Sequence, residues 1–232
     1  MNDLNKKSFG GLIFLTSALA ALLFIPTGSI DYWQAWIFLC VFFVTTLVIT
    51  VYLMKNDPEL LERRINAGPG AEKEKRQKVI QSLASLAFIA LFIVSALDHR
   101  FGWSVVPIYA VAAGNALVIL GLFAVFLVFK ENSYASATIE VGAAQKVIST
   151  GPYAIVRHPM YAGAFVMLLG VPLALGSRWG LIAVVPMVAA IVWRLLDEEK
   201  FLAKNLVGYL EYQKKGKISL GAFHLVALIV FQ

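Results

Sequence analysis

The chain has 232 residues, 59% of them hydrophobic and 15% charged, where a soluble globular domain carries about 25% charged residues. With a mean hydropathy of +0.76, this excludes an ordinary soluble domain and makes lipid the main solvent. A net charge of +6 raises nucleic acid as a partner, and the placement of the basic residues, taken up below, excludes it.

Six apolar runs follow one another: Phe9–Ile25, Tyr32–Met54, Val79–Leu97, Val105–Phe129, Met160–Leu175 and Trp179–Leu196. Several approach the roughly 20 residues that cross the hydrocarbon. They read as helices, because lipid tolerates no unpaired backbone groups and the runs are too long and continuous for barrel strands. The expected fold is all-α, a polytopic transmembrane bundle of about six spans. The first run follows Lys6 and Lys7, but it continues beyond the cleavage-like Ser17-Ala18-Leu19-Ala20, so it reads as a retained first helix. Cys40 lies within the second run and reads as a buried, inert thiol. A single cysteine with no Cys/His spacing gives no metal site. Only Gly176, Ser177 and Arg178 separate the last two runs, which form a tight antiparallel hairpin.

With the N-terminus inside, 18 of the 20 basic residues fall on one side of the membrane, leaving Arg100 and Arg178 outside. Both termini are therefore expected in the cytoplasm, in a cell membrane or endomembrane. The basic residues are topology signals, not a nucleic-acid patch. Segment 55–78 mixes five acids with its seven bases. Trp33, Trp36, Trp103 and Trp179 fall at outer helix ends, where an aromatic belt belongs.

Polar residues gather in three places on the inner side. In the first, Asp57 and Pro58 read as the cap and first position of a short interfacial helix carrying Leu60, Leu61 and Ile65 on one stripe. A simple membrane-surface anchor is enough to explain it. In the second, Gly151-Pro152 is a turn, and Arg157 and His158 stand before Pro159 at the start of the fifth span. Two readings are open there: a site for an anionic group at a helix N-terminus, or an arginine on lipid headgroups. The third is Arg194, Asp197, Glu198 and Glu199, directly after the sixth run. Arg194 and Glu198 share a helix face as an i,i+4 pair. The hairpin should bring Glu198 near Arg157 and His158, and charges converging at a membrane boundary mark a functional site.

The string Gly151-Pro152-Tyr153-x-x-x-Arg157-His158-Pro159-x-Tyr161-x-Gly163, then Arg194-x-x-x-Glu198-Glu199-x-x-Leu202 and Tyr209-Leu210-Glu211-Tyr212, resembles the isoprenylcysteine carboxyl methyltransferase family, which is related to the phospholipid N-methyltransferases. The likeness covers about residues 130–215. It implies an enzyme that uses S-adenosyl-L-methionine in a cytoplasmic pocket and takes a lipophilic methyl acceptor from the bilayer. Backbone contacts would come from Gln145, Lys146, Val147 and Ile148. Tyr153, His158, Pro159, Met160 and Tyr161 would surround the cofactor, and Glu198 would hold its polar or cationic part. Arg194 would face the acceptor, in the catalytic position. The chain departs from the family pattern at Leu206-Val207-Gly208, and again where Gly216-Lys217-Ile218-Ser219 runs into an apolar tail. The organisation implied is a four-span region over 1–129, a methyltransferase core over 130–217 and the tail over 218–232. A phospholipid amine or a small thiol is the alternative acceptor. A transporter would instead show mid-membrane polar residues and repeats, and a scaffold would need no such constellation.

Overall fold

The computed structural model describes residues 3–72, 74–142 and 145–214. The tail 218–232 and the Gly216–Ser219 stretch lie outside the described residues. The described residues are helical, with no strand among them. The helices are α1 (Asp3–Thr27), α2 (Trp33–Asn56), α3 (Pro58–Ile65), α4 (Lys75–Phe101), α5 (Ile108–Glu131), α6 (Pro159–Ala174), α7 (Trp179–Asn205) and α8 (Tyr209–Lys214), with a 3-10 turn at Gly151–Ala154. Five of them, α1, α2, α4, α5 and α7, are long and apolar enough to cross a membrane, and α6 is shorter at 16 residues. The protein is a multi-pass helical membrane protein.

The boundaries have local causes. The fourth run was expected from Val105, but α5 starts at Ile108. Pro107 stands before it with ψ 152°, and a proline pushes its predecessor out of the helical region. The sixth run was expected to stop at Leu196, yet α7 continues through charged residues to Asn205. Lipid contact ends there but helix propensity does not. Asp57 caps α3, its carboxylate accepting from the Leu60 N–H at 2.9 Å, with Pro58 at the first position. Leu60 and Leu61 are buried against Leu53, Val128 and Phe129, while Ile65 is exposed. The α3 stripe therefore grips the ends of α2 and α5. Cys40, expected buried, is exposed on α2. That face of α2 looks outward, where lipid makes an apolar residue as suitable as a core would.

The last two spans pack less closely on each other than expected. Instead, α6 lies chiefly along α5, and α7 along α4. Gly114 and Gly121 of α5 face Gly170 and Gly163 of α6. Small residues let two backbones meet where lipid gives no hydrophobic drive to associate. The hairpin is splayed at one end, and the splay makes room for a cavity.

At the opposite end the bundle is tied by Asp98, which is fully buried. Its carboxylate accepts from the Ser104 and Ser177 hydroxyls, each at 2.6 Å, and from the Ser104 N–H at 2.8 Å. Tyr32 donates to the Leu175 carbonyl at 2.7 Å. The α4 end, the loop after it and the α6–α7 turn are thus held as one. Trp103 and Trp179 meet edge to face nearby, both about half exposed.

Candidate active site

A cavity of about 490 Å³ opens between α5, α6 and α7 at the end where α7 outruns the bilayer-length core. This is within the usual size of a small-molecule site. Every residue to which the resemblance gives a cofactor or acceptor role lines it: Gln145, Lys146, Val147, Ile148, Tyr153, His158, Pro159, Met160, Tyr161, Arg194 and Glu198. Its deep arm is apolar, walled by Leu122, Val125, Ala164, Met167, Met187 and Ile191. Its roof is the irregular strap between α5 and the 3-10 turn.

The acids of α7 divide their work. Glu198 accepts a hydrogen bond from the Tyr161 hydroxyl. Glu199, not Glu198, is the neighbour of Arg157 and His158: its Oε1 lies 3.2 Å from Arg157 Nη1 and 3.0 Å from His158 Nε2. Consecutive helical residues point about 100° apart, so Glu199 meets the residues just before α6 while Glu198 meets Tyr161 in its first turn. The negative charge expected before that helix is a carboxylate of the protein's own, and Glu198 is left facing the cavity.

Arg194 also differs from the expected i,i+4 pair. Its Nη1 is 2.8 Å from Glu72 Oε1 and 2.9 Å from Gln81 Oε1, and its Nη2 donates to the Ala137 carbonyl at 3.0 Å. Asp197, the next acid along, accepts from Gln77 and pairs with Arg76 at 3.1 Å. Arg63 and Arg64 donate to the strap carbonyls of Ser133 and Ser136, at 2.7 and 3.0 Å. Arg64 lies over the Phe129 ring and beside Met160. Burial, helped by the Arg194 charge, lowers its pKa to about 10, which still leaves a cation at neutral pH. Three arginines therefore hold the strap by its backbone. Sequence reasoning missed Glu72, Arg64, Gln77 and Gln81, which lie in or beside the mixed-charge loop read for topology and for a short interfacial helix.

Three tyrosines close the remaining side. Asn132 Nδ2 donates to the Tyr153 hydroxyl at 2.8 Å, and the Tyr212 hydroxyl donates to the Tyr153 carbonyl at 2.9 Å. Burial pushes Tyr153 up to about 12. Burial also raises Tyr209, with Glu199 and Glu198 adding to it, and burial raises Tyr212 against the pull of Arg157. All three remain protonated donors at neutral pH. Val147 and Val141 pack against Leu206, Tyr209 and Leu202, so the strap is seated on α7 and α8 by apolar contact as well.

Residues 109–207 match the family model described as phospholipid methyltransferase. The match spans less than half of the chain, and it takes in every residue placed above in the cavity from Leu122 to Leu206. No curated protein and no solved structure matches the chain. The family match and the membrane helices support a membrane methyltransferase.

Proposed function

We propose that the protein is an integral membrane methyltransferase that uses S-adenosyl-L-methionine and acts on a lipophilic acceptor. The observation that carries this reading is the Glu198 carboxylate, turned into a cavity with an extended backbone segment at one side and an apolar arm at the other. The residues suit the cofactor. Glu198 offers an anion to a cationic ligand, Tyr153 and Tyr161 offer aromatic walls, and the non-helical segment 145–148 offers backbone groups. When bound, S-adenosyl-L-methionine supplies an electrophilic methyl group on a sulfonium. The protein's part is orientation and exclusion of water, which can contribute about 7–11 kcal/mol in the best cases. Glu198 and Tyr161 hold the ligand, the strap covers it, and the apolar arm takes the acceptor's hydrocarbon.

Two acceptors have support. The Arg-His-Pro and Glu-Glu motifs favour an isoprenylcysteine carboxylate, which needs no base. The family match favours a phospholipid amine, and the pairing of Arg194 with Glu72 adds to it. A guanidinium already neutralised by a buried carboxylate is a poor receptor for a second one. An amine must lose a proton, and His158 lines the cavity with its Nε2 on Glu199. The 18-to-2 division of basic residues favours a cytoplasmic site and a cytoplasmic N-terminus. The test is radiolabelled S-adenosyl-L-methionine with the detergent-solubilised protein and a panel of phospholipid, prenylcysteine and small-thiol acceptors. Label in a lipid product supports the reading. No binding of the cofactor and no labelled acceptor would overturn it.

A further inference from the structure

Glu72 lies in the loop between α3 and α4, 4% exposed. One carboxylate oxygen is 2.8 Å from Arg194 Nη1, and the other is 3.4 Å from the Ile139 N–H of the strap. Burying a carboxylate this deeply is costly unless it is paired. Glu72 also lies outside residues 109–207.

Arg194 has a choice of acids. Glu198 is one turn further on the same helix face, at i+4. Glu72 stands just before α4, the helix along which α7 packs. The guanidinium takes Glu72, with Gln81, Gln77, the Ala137 carbonyl and the Tyr161 hydroxyl among its further partners. Glu198 is left to accept from Tyr161 and face the cavity.

We propose that Glu72 is a positioning residue: by drawing Arg194 toward the start of α4 it keeps the guanidinium off Glu198, so that the Glu198 carboxylate is free for a cationic ligand. The proposal rests on the reading of the cavity as an S-adenosyl-L-methionine site. Without the Glu72 charge, Glu198 is the cavity-facing anion within one helical turn of Arg194. The arginine then neutralises the group that should hold the ligand and lets go of the strap at Ala137.

Two measurements on the full chain, with Cys40 replaced by alanine, decide this. The first is S-adenosyl-L-methionine affinity by calorimetry. Glu72→Gln should bind at least tenfold more weakly. The double variant Glu72→Gln/Arg194→Gln should recover to within threefold of the parent, because no guanidinium remains to occupy Glu198. A single variant that binds like the parent overturns the proposal, and so does a double variant as weak as the single. Should Glu72→Gln not fold, the double variant is compared with Arg194→Gln alone. Equal affinities support the proposal, and a further loss in the double overturns it. The second measurement needs no cofactor. A cysteine at Thr138, half-buried in the strap, should react with a thiol reagent at least fivefold faster in the Glu72→Gln background. An unchanged rate overturns the proposal. A parent that binds no cofactor while Thr138→Cys responds as expected refutes the functional reading and leaves standing the role of Glu72 in positioning Arg194 on the strap.

Discussion

A Cβ placed on Gly121 would stand 2.5 Å from the carbonyl oxygen of Gly163. No side chain fits there, so α5 and α6 run backbone against backbone, and the site inherits its width from that contact. Gly163→Val should therefore overpack the interface and cost about 1–3 kcal/mol or more. The measurement is the thermal unfolding midpoint in detergent. Gly10→Val on α1, where a Cβ meets nothing within 4 Å, is the control and should lose far less. Equal midpoints for the two variants would show that the close approach does not hold the bundle.

Glu198 and Tyr161 form the polar end of the cavity. Removing a charged hydrogen-bond partner costs about 1.5–3 kcal/mol. Glu198→Gln should weaken S-adenosyl-L-methionine binding tenfold or more, and His158→Ala, which strands Glu199 and Arg157, should do likewise. Glu211→Gln, on an exposed face of α8, should change little. If all three titrate like the wild type, the ligand lies elsewhere.

Arg194 is expected to act on turnover. Its loss leaves Glu198 in place, so Arg194→Ala should keep cofactor affinity within a few-fold while methyl transfer falls at least a hundredfold. Arg194→Lys should remain badly impaired, because one ammonium cannot serve Glu72, Gln81 and the Ala137 carbonyl together. Parallel loss of binding and turnover would make Arg194 a cofactor ligand instead.

Tyr153 gives the site an alkaline signature. Its folded pKa of about 12 is above the ordinary value of 10. Between those values the unfolded chain has lost the phenol proton and the folded chain keeps it, so stability falls as pH rises. The Tyr153 contribution is complete below pH 10 and is lost as pH climbs through about 12. Unfolding midpoints taken from pH 9 to 12 should decline more steeply for the wild type than for Tyr153→Phe. Identical slopes would assign the decline to other groups.

The orientation is open to a direct test. With Cys40 replaced, cysteines at the exposed positions Ser29 and Val105 should be labelled by an impermeant thiol reagent from outside intact cells, and cysteines at Ala67 and Asn205 should not. Gly28 and Gly176 are poorer choices, since both hold a positive φ, near 70°, that a cysteine resists. Labelling of Asn205 from outside would place the cavity on the other face.

The spans were legible because lipid imposes one rule on every residue: α1, α2, α4 and α7 follow directly from unbroken apolar runs. The cavity residues were legible from a motif in which Tyr161 and Glu198 are 37 positions apart but joined by a hydrogen bond. Partner choice was not legible. Helical spacing offers Arg194 to Glu198, and only the bundle shows that Glu72, 122 positions earlier in the chain, wins. Glu199 rather than Glu198 meets His158 for the same reason: a rotation of one residue about α7 decides it, and that rotation is set by packing on α4. Asp98 went unnoticed because it sits at the end of an apolar run, with partners in two distant turns.

The shortness of α6 ties the protein to the thickness of its membrane. Sixteen residues at 1.5 Å each extend about 24 Å, against roughly 30 Å of hydrocarbon. Strapped to α5 by its glycines, α6 cannot lengthen or shift, so the bilayer must thin beside it or its first residues must lie beneath the headgroups. Pro159, Met160 and Tyr161 are those residues, and they line the cavity. Bilayers of shorter acyl chains would bring them level with the surface, and thicker ones would sink them.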